Sequence, residues 1–504
     1  MNQNILINKK EENHSDWYTE LIVKCNLISY YDISGCYILL PNSYSVWENI
    51  QHFLDGQFKL RGVQNVYFPL FISKNNLEKE KNHIEGFEPE VAWIKSKDVK
   101  EDVKEDDKES SSNQIAIRPT SECAIYPTFA NLVKWMSQKD LPLKYNQWCN
   151  VVRWEFKDTT PFIRSREFLW NEGHTCYATK EQAMEEVIDI IKLYKETYQN
   201  MLGVPVILGK KTEKEKFGGA DVTYTVECFI SESGKAIQAA TSHCLGQNFS
   251  KMFDIKYQVN TENKEEVIKH EYVWQNSWGF TTRSIGIMLM THSDNKGVVF
   301  PPNIAPTQII IIPIIVKKYE QETKIYVDKI INILKQSTIR FKVDASNNHP
   351  GSKFINAELG GSPLRLEIGK KEVDKNKIVC FRRDTCTKNV MDFDENLIDN
   401  LNNMLKNIQN NLFHIAKDKL INAITYPNDF SEFINNVENK KMCLIKWCDK
   451  DDCEMKIKEL SKAKSLCCPD LDENKEIDMR IVDGDICLHC GDKAQNICLF
   501  GRSY

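Results

Sequence analysis

Between residues 153 and 175 the chain reads RWEFKDTTPFIRSREFLWNEGHT, and this stretch constrains the fold more than any other. Arg153, Arg164 and Arg166 stand among Trp154, Phe156, Phe162, Phe168 and Trp170, with Glu155, Glu167 and Glu172 interleaved. A solvated run of charge has no need of so many aromatic neighbours, so the composition implies charges held in a pocket built on strands. Side chains alternate faces along a strand. Arg153 and Glu155 therefore share a face, as do Arg164 and Arg166 on a return strand, with KDTTP as the turn between them. Two readings fit. One is a cross-strand salt-bridge ladder worth about 0.2–1 kcal/mol per pair. The other is a clamp for phosphate or carboxylate, a task suited to the planar and permanently charged guanidinium. The chain has neither GxxxxGK[ST] nor a GxGxxG after a strand, so any phosphate must be held by side chains.

The 504 residues are enough for two to four domains with large cores. The longest apolar run, IIIIPII, is too short to span a bilayer, and MNQNILINKKEENHSDW lacks the apolar centre of a secretory signal. The expectation is a cytoplasmic protein with no membrane partner. A net charge of −5 argues against non-specific binding of long nucleic acid, while a folded RNA met by a local patch remains compatible. Seventeen cysteines in such a chain read as reduced thiols or metal ligands, and eight of them fall between Cys443 and Cys498.

Along the chain, helical spacing of Val46, Ile50, Phe53 and Leu54 predicts a helix from Ser43 to about Leu60, followed by a strand at VYFPLFI. Residues 95–114 are a charged, serine-ended segment expected to be a solvated insertion loop. Thr179 and Gln182 form a capping box ahead of an amphipathic helix through Met184, Val187, Ile188, Ile191 and Tyr194. With YTVECFI, KAIQAATSHCLG and SIGIMLMTH, this mixture predicts an α+β domain on a mainly antiparallel sheet. After Pro301–Pro306 the texture changes to an α/β module: strands at QIIIIPII, IRFKVD, PLRLEIG and KIVCFRR, with a helix ending near Lys335. A long helix is predicted from about Asn396, with Leu397, Leu401, Met404, Ile408, Leu412 and Ile415 on one face. Cys448-x4-Cys453 and Cys487-x2-Cys490 have the spacing of two knuckles around tetrahedral zinc. The alternative is a set of free buried thiols, and His489, Cys443, Cys467, Cys468 and Cys498 are rival ligands.

The hairpin stretch resembles motif 2 of the class II aminoacyl-tRNA synthetases. YYDISGCYILLP, HIEGFEPEVAWI, IRPTSE, NQWCNVVRWEF, REFLWNEGH, KTEKEKFGGAD, TSHCLGQNFSKMF, QNSWGFTTRSIG and CLFGRSY resemble signature stretches of the prolyl-tRNA synthetases of the eukaryotic and archaeal type. The resemblance runs from about Ser15 to Tyr504. It implies a flexible tail (1–14), a class II catalytic domain (15–302), an α/β anticodon-binding domain (303–395) and a small zinc-binding α+β domain (396–504). The implied activity is ATP-dependent ligation of L-proline to tRNA(Pro), and the implied assembly is a homodimer, with Pro69 in motif 1. An appended domain or multi-synthetase partners are compatible with it. About a hundred residues separate Arg166 from Ser277, so no editing insertion is expected there.

Residue by residue, the resemblance implies ATP contacts at Arg153, Arg164, Ser165, Gln238, Thr241, Thr281 and Arg283, with Arg153 and Arg283 catalytic and Gln238 a ligand for Mg²⁺ accompanying ATP. It implies proline binding by Thr120, Ser121, Glu122, Arg153, Trp170, Glu172, His174 and His243, with Phe87 and Glu90 capping the pocket. Ala239 and Ala240 stand where the family has two glycines. Structural Zn²⁺ is implied at Cys448, Cys453, Cys487 and Cys490, although the family's second knuckle is the tighter C-x-C. Glu358, Arg365 and Lys371 are the candidate anticodon contacts, Tyr504 reaches toward the active site, and Arg166 is structural. A non-catalytic synthetase-like regulator, a zinc-dependent RNA-binding protein, and threonyl or histidyl specificity are the competing readings.

Overall fold

The computed structural model describes residues 6–75, 77, 91–94, 114–154, 158–259 and 269–504. Phe87, Glu90, Glu155 and all but Gln114 of the expected insertion loop lie outside them. Helix α1 spans His14–Lys24 and α2 spans Pro41–Leu60. Pro41 sits in the first turn of α2, where its missing N–H removes no helical bond. Val46, Ile50, Leu54 and Phe58 recur on the buried face. The strand expected at 66–72 is instead broken into β1, Gln64–Asn65, and a separate strand at Phe71–Ser73. Pro69 offers no N–H to a ladder, and side chains take over its neighbours. Arg118 Nη1 donates to the carbonyls of Phe68 and Pro69 at 2.6 and 3.2 Å, and Gln147 accepts from the Phe68 N–H.

Helix α3, Glu122–Val133, leads to β2, Leu143–Val152, and β3, Glu167–Tyr177. Helix α4, Lys180–Glu196, begins with the Thr179 side chain accepting from the Gln182 N–H, which is the N-cap half of the expected capping box. Strands β4 (Ile207–Lys210), β5 (Val222–Ile230), β6 (Lys235–Gly246) and β7 (Trp274–Thr281) precede α5, Arg283–His292. The order β4-β5-β6-β7-β3-β2 is antiparallel throughout, and β1 joins β2 in parallel. Helices α1, α2, α4 and α5 bury Trp17, Ile50, Tyr194 and Ile285 in one core with Phe280 of β7.

The next module holds β8 (Ile309–Pro313), α6 (Glu320–Leu334), β9 (Phe341–Val343), β10 (Leu364–Ile368), β11 (Lys377–Arg382) and β12 (Thr387–Asp392) in a sheet of order β9-β8-β10-β11-β12. Helix α7, Leu397–Ile421, packs Leu397, Leu401, Leu405, Ile408 and Leu412 into this module's core, and places Leu420 in the core of the C-terminal region. One helix thus bridges two cores. Its buried stripe continues through Ala416, so Ile415, expected on that face, is exposed.

The C-terminal strands are β13 (Ile424–Thr425), β14 (Met442–Trp447), β15 (Lys464–Pro469) and β16 (Asn496–Ser503). They do not form a separate sheet. β15 pairs with β4, matching Cys468 with Lys210 and Pro469 with Gly209, so eleven strands run continuously from the catalytic region into the C-terminal one. The buried Asn474 extends the seam: its side chain accepts from the Leu208 N–H at 3.0 Å and donates to the Leu208 carbonyl at 2.6 Å. At Gly209 an added Cβ would lie 2.5 Å from the Cys468 carbonyl oxygen. Gly209→Ala should therefore cost roughly 1–3 kcal/mol in urea unfolding; unchanged stability would mean that the seam is not tightly packed.

Candidate active site and cysteine centre

The arms β2 and β3 pair from Leu143↔Cys176 to Val152↔Glu167, and the Arg153 N–H extends the ladder to the Arg166 carbonyl at 2.8 Å. Beyond that point the chain leaves the sheet. Asp158 and Phe162 have positive φ (33° and 65°), and Thr160 and Arg164 close a tight turn. Arg164 and Arg166 are therefore not on a return strand, and the expected sharing of one face fails. Arg164 lines the central cavity, whereas Arg166 turns away: its Nη1 donates to the Ser34 carbonyl at 2.6 Å and its guanidinium lies 4.8 Å from the Trp154 ring centre. Turn conformation overrides strand parity here.

The cavity, of about 360 Å³, sits over β3, β6 and β7. Thr120, Glu122, Arg153, Arg164, Ser165, Trp170, Glu172, His174, Gln238, Thr241, His243, Thr281 and Arg283 all line it. Ser121 does not; it stands behind, with its N–H donating to Glu172 Oε1 at 2.8 Å and its hydroxyl accepting from Gln147 at 3.1 Å. Alternation on β3 brings Trp170, Glu172 and His174 to one side.

One end of the cavity is acidic. Glu172 Oε1 accepts from Thr120 Oγ1 at 3.2 Å and from the Ser121 N–H, and lies 3.2 Å from His174 Nε2. Tyr126 OH is 3.1 Å from His174 Nδ1, and the Thr120 hydroxyl oxygen also lies within hydrogen-bond reach of the Glu122 carboxyl. Burial alone would raise the Glu172 carboxyl, but the His174 and Ser121 hydrogen bonds outweigh it and hold its pKa below the usual range. Burial raises that of Glu122, and the Glu172 charge adds to the rise while His174 opposes it. Burial works against the His174 imidazolium, yet Glu172 prevails and its pKa is raised. Glu122, Glu172 and His174 place ligand atoms within 4.8 Å of one another, a spacing that suits a small cation or an ammonium.

The other end is basic. Arg153 Nε donates to the Pro119 carbonyl at 3.2 Å, and its guanidinium lies 5.5 and 5.7 Å from the Phe168 and Trp170 ring centres. Arg283, the first residue of α5, donates through Nε to the Ile163 carbonyl at 3.0 Å and through Nη1 to the Gln238 carbonyl at 3.1 Å. A larger space of about 920 Å³ adjoins this end, sharing Arg164, Ser165, Gln238 and Arg283 and reaching Lys211, Lys235 and Tyr504.

Sequence reasoning left out Phe217 and Thr223. The Phe217 ring packs 4.8 Å from that of His243, and Thr223 Oγ1 is 2.9 Å from His243 Nδ1. Phe217 lies within KTEKEKFGGAD, but its contact partner is set by a fold no spacing rule reveals. The candidate RNA contacts also separate. Arg365 is buried, stacked between Phe354 and Phe381 (4.4 and 4.0 Å) and bonded to Glu358 and Glu367, so it does not face solvent. Glu358 is half-buried and Lys371 is exposed.

Near the C-terminus the four predicted cysteines converge, with Sγ atoms within 4.8 Å of one another, including Cys453–Cys487 at 3.7 Å and Cys448–Cys490 at 3.6 Å. Burial raises the Cys487 thiol, but N–H groups of Cys490, His489 and Cys448 outweigh it and lower its pKa. Of the rivals, His489 approaches Cys453 at 3.3 Å, whereas the Cys443 thiol bonds to the Phe433 carbonyl instead.

Comparison with known proteins fits this geometry. The family model for the tRNA synthetase class II core domain (G, H, P, S and T) matches residues 103–292, the anticodon binding domain 308–403, and the prolyl-tRNA synthetase C-terminal domain 430–504. Fold and site together define a class II aminoacyl-tRNA synthetase. The cytoplasmic proline–tRNA ligase of Arabidopsis thaliana is 44% identical over 98% of this chain and 90% of its own length. The proline–tRNA ligase of Encephalitozoon cuniculi is 42% identical over 98% of both. The crystal structure of the Cryptosporidium parvum prolyl-tRNA synthetase with halofuginone and AMPPNP superposes with a TM-score of 0.90 at 43% identity, covering 100% of this chain and 97% of the other. The chain belongs to the prolyl-tRNA synthetase family.

Burial, with His174 nearby, pushes the pKa of His243 down to about 3. As pH falls below the ordinary histidine value of about 6.5, the unfolded chain binds a proton that the folded chain refuses. Stability should then drop by roughly 1.4 kcal/mol per pH unit from this group. In urea titrations from about pH 6 down to about pH 4, His243→Gln should lose stability less steeply than the wild type; parallel slopes would rule out a buried neutral histidine.

Proposed function

We propose that this chain activates L-proline with ATP and transfers the prolyl group to the 3′ end of tRNA(Pro). One observation carries this reading: a buried acceptor cluster and a set of guanidinium groups line one cavity. A secondary ammonium needs acceptors with fixed charge, and Glu172, held ionised, supplies them beside Thr120 and Glu122. The ring fits the Trp170 wall, and the carboxylate lies toward Arg153.

In the first step a proline carboxylate oxygen attacks the α-phosphate of ATP, forming a P–O bond as the bond to pyrophosphate breaks. No side chain acts as nucleophile, so the protein's part is positioning and charge neutralisation. Arg153 bridges the carboxylate and the α-phosphate; Arg164, Ser165 and Arg283 hold the rest of the triphosphate, and Thr241 and Thr281 complete the ATP site. In the second step a terminal ribose hydroxyl of tRNA attacks the prolyl carbonyl and AMP leaves. The larger adjoining space, which Lys235 lines, has room for that RNA end, while its Lys211 is paired with Glu227 at 2.8 Å. Gln238 offers an amide oxygen for Mg²⁺, a hard cation that would neutralise phosphate charge when bound with ATP.

Cys448, Cys453, Cys487 and Cys490 have the donor set and mutual spacing for tetrahedral Zn²⁺. Among candidate RNA contacts, Lys371 and Glu358 are favoured, and Arg365 is assigned to shaping Glu358. Phe71, Trp93, Ile94 and Ile115 expose apolar surface on one small sheet, which favours the homodimer. The Mus musculus bifunctional glutamate/proline–tRNA ligase, 43% identical, is covered by this chain over only 33% of its length, so related proteins carry further domains. A cytoplasmic location is proposed from the Arabidopsis thaliana relative.

Arg153→Ala should reduce proline-dependent ATP–pyrophosphate exchange on the order of 10²–10³-fold. Near-normal exchange in a folded variant, or exchange driven by another of the twenty amino acids, would refute the assignment. Protein purified without chelator should hold about one zinc per chain, lost in Cys487→Ser; less than about half an equivalent in the parent would point to free thiols.

A further inference from the structure

Arg383 is among the largest fully buried side chains of the described residues, yet its guanidinium points out of the five-stranded module that carries it. Nη1 and Nη2 donate to the two carboxylate oxygens of Asp294 at 2.7 and 2.6 Å, and Nη2 also to the Gly297 carbonyl at 3.3 Å. Nε donates to the backbone carbonyl of Glu358 at 3.3 Å. The module's arginine thus grips the catalytic region in a two-pronged, charge-assisted geometry. Breaking such a pair leaves a buried charge uncompensated.

Asp294 lies just past the end of α5, whose residues from Ser284 to Met290 are all buried. That end is pinned twice more: Lys10 Nζ donates to the carbonyls of Thr291 and Ser293 at 3.4 and 3.0 Å, and Trp17 Nε1 donates to that of Asp294 at 3.3 Å. Arg283 occupies the opposite end, against the cavity. Along its flank α5 touches the turn that carries Arg164. A Cβ at Gly286 would stand 2.7 Å from Ile163 Cδ1 and 2.9 Å from Phe162 Cβ, so the helix packs directly against this turn with no room for a larger residue.

We propose that Arg383 is a positioning residue for the ATP end of the cavity: by holding Asp294 it fixes α5, and with it Arg283 and the turn bearing Arg164. The inference rests on the reading of Arg283 and Arg164 as ATP contacts. Glu358 joins it to the other side of the module, since its carboxylate accepts from Arg365 at 3.2 Å while its carbonyl accepts from Arg383.

The test is pyrophosphate exchange by the full chain carrying Arg383→Met, Asp294→Asn, both together, or Arg383→Lys, with melting temperatures recorded. Each single change should raise the KM for ATP about fivefold or more and leave that for proline within about twofold. The double variant should be no worse than the poorer single one, and Arg383→Lys should recover part of the loss. Asp294→Asn keeps its shape and its side chain is 43% exposed, so it decides the matter if Arg383→Met does not fold. A lowered melting temperature with an unchanged ATP KM, equal rises in both KM values, or additive losses would overturn the proposal. Arg283→Ala separates the two claims. If it leaves the ATP KM unchanged, the ATP-site reading fails; if it raises that KM while Asp294→Asn does not, the positioning role alone fails.

Discussion

The buried carboxylate of Glu172 sets the terms for the residues around it. An ion taken out of water must be met by donors or be neutralised, and here Thr120, Ser121 and His174 meet one oxygen while Oε2 has no hydrogen-bond partner among the described residues. That demand ties the turn before α3 to β3, and Glu172 raises the pKa of His174, which in turn contacts Tyr126. Two neighbouring acids are also divided: burial first, and then the Glu172 charge, raise the pKa of Glu122, while that of Glu172 is lowered. The remaining oxygen is left for whatever enters the cavity.

Around this centre the architecture is one of shared elements. β15 continues the catalytic sheet, α7 divides its buried face between two cores, and Arg383 reaches from one module into another. Domain limits drawn along the sequence are accordingly less sharp in space. A boundary at residue 395 falls just before a helix whose first turns belong to the core preceding it.

What the sequence made legible was local or repetitive. The Thr179 cap, the 3.6-residue spacing of Val46, Ile50 and Leu54, the strand at KIVCFRR and the paired cysteine knuckles each depend on near neighbours, and each is found. Where reading failed, a distant partner or a turn decided. Positive φ at Asp158 and Phe162 took Arg164 and Arg166 off the strand, and no residue there is glycine to announce it. Arg365 reads as a surface charge until Phe354 and Phe381 close over it. Most residues of the cavity were named through family resemblance, because strand alternation alone left a ladder and a clamp equally open.

The junction of β15 with β4 has a further consequence. A sheet edge offers unpaired N–H and carbonyl groups to any passing strand and is a standing route to aggregation. Without the C-terminal strands, β4 would be such an edge, short but carrying the apolar Ile207 and Leu208, both now buried. Cys468, Pro469 and the amide of Asn474 cover it. The C-terminal region is thus the edge guard of the catalytic sheet, and a chain cut before it would expose a sticky margin rather than release a tidy catalytic domain.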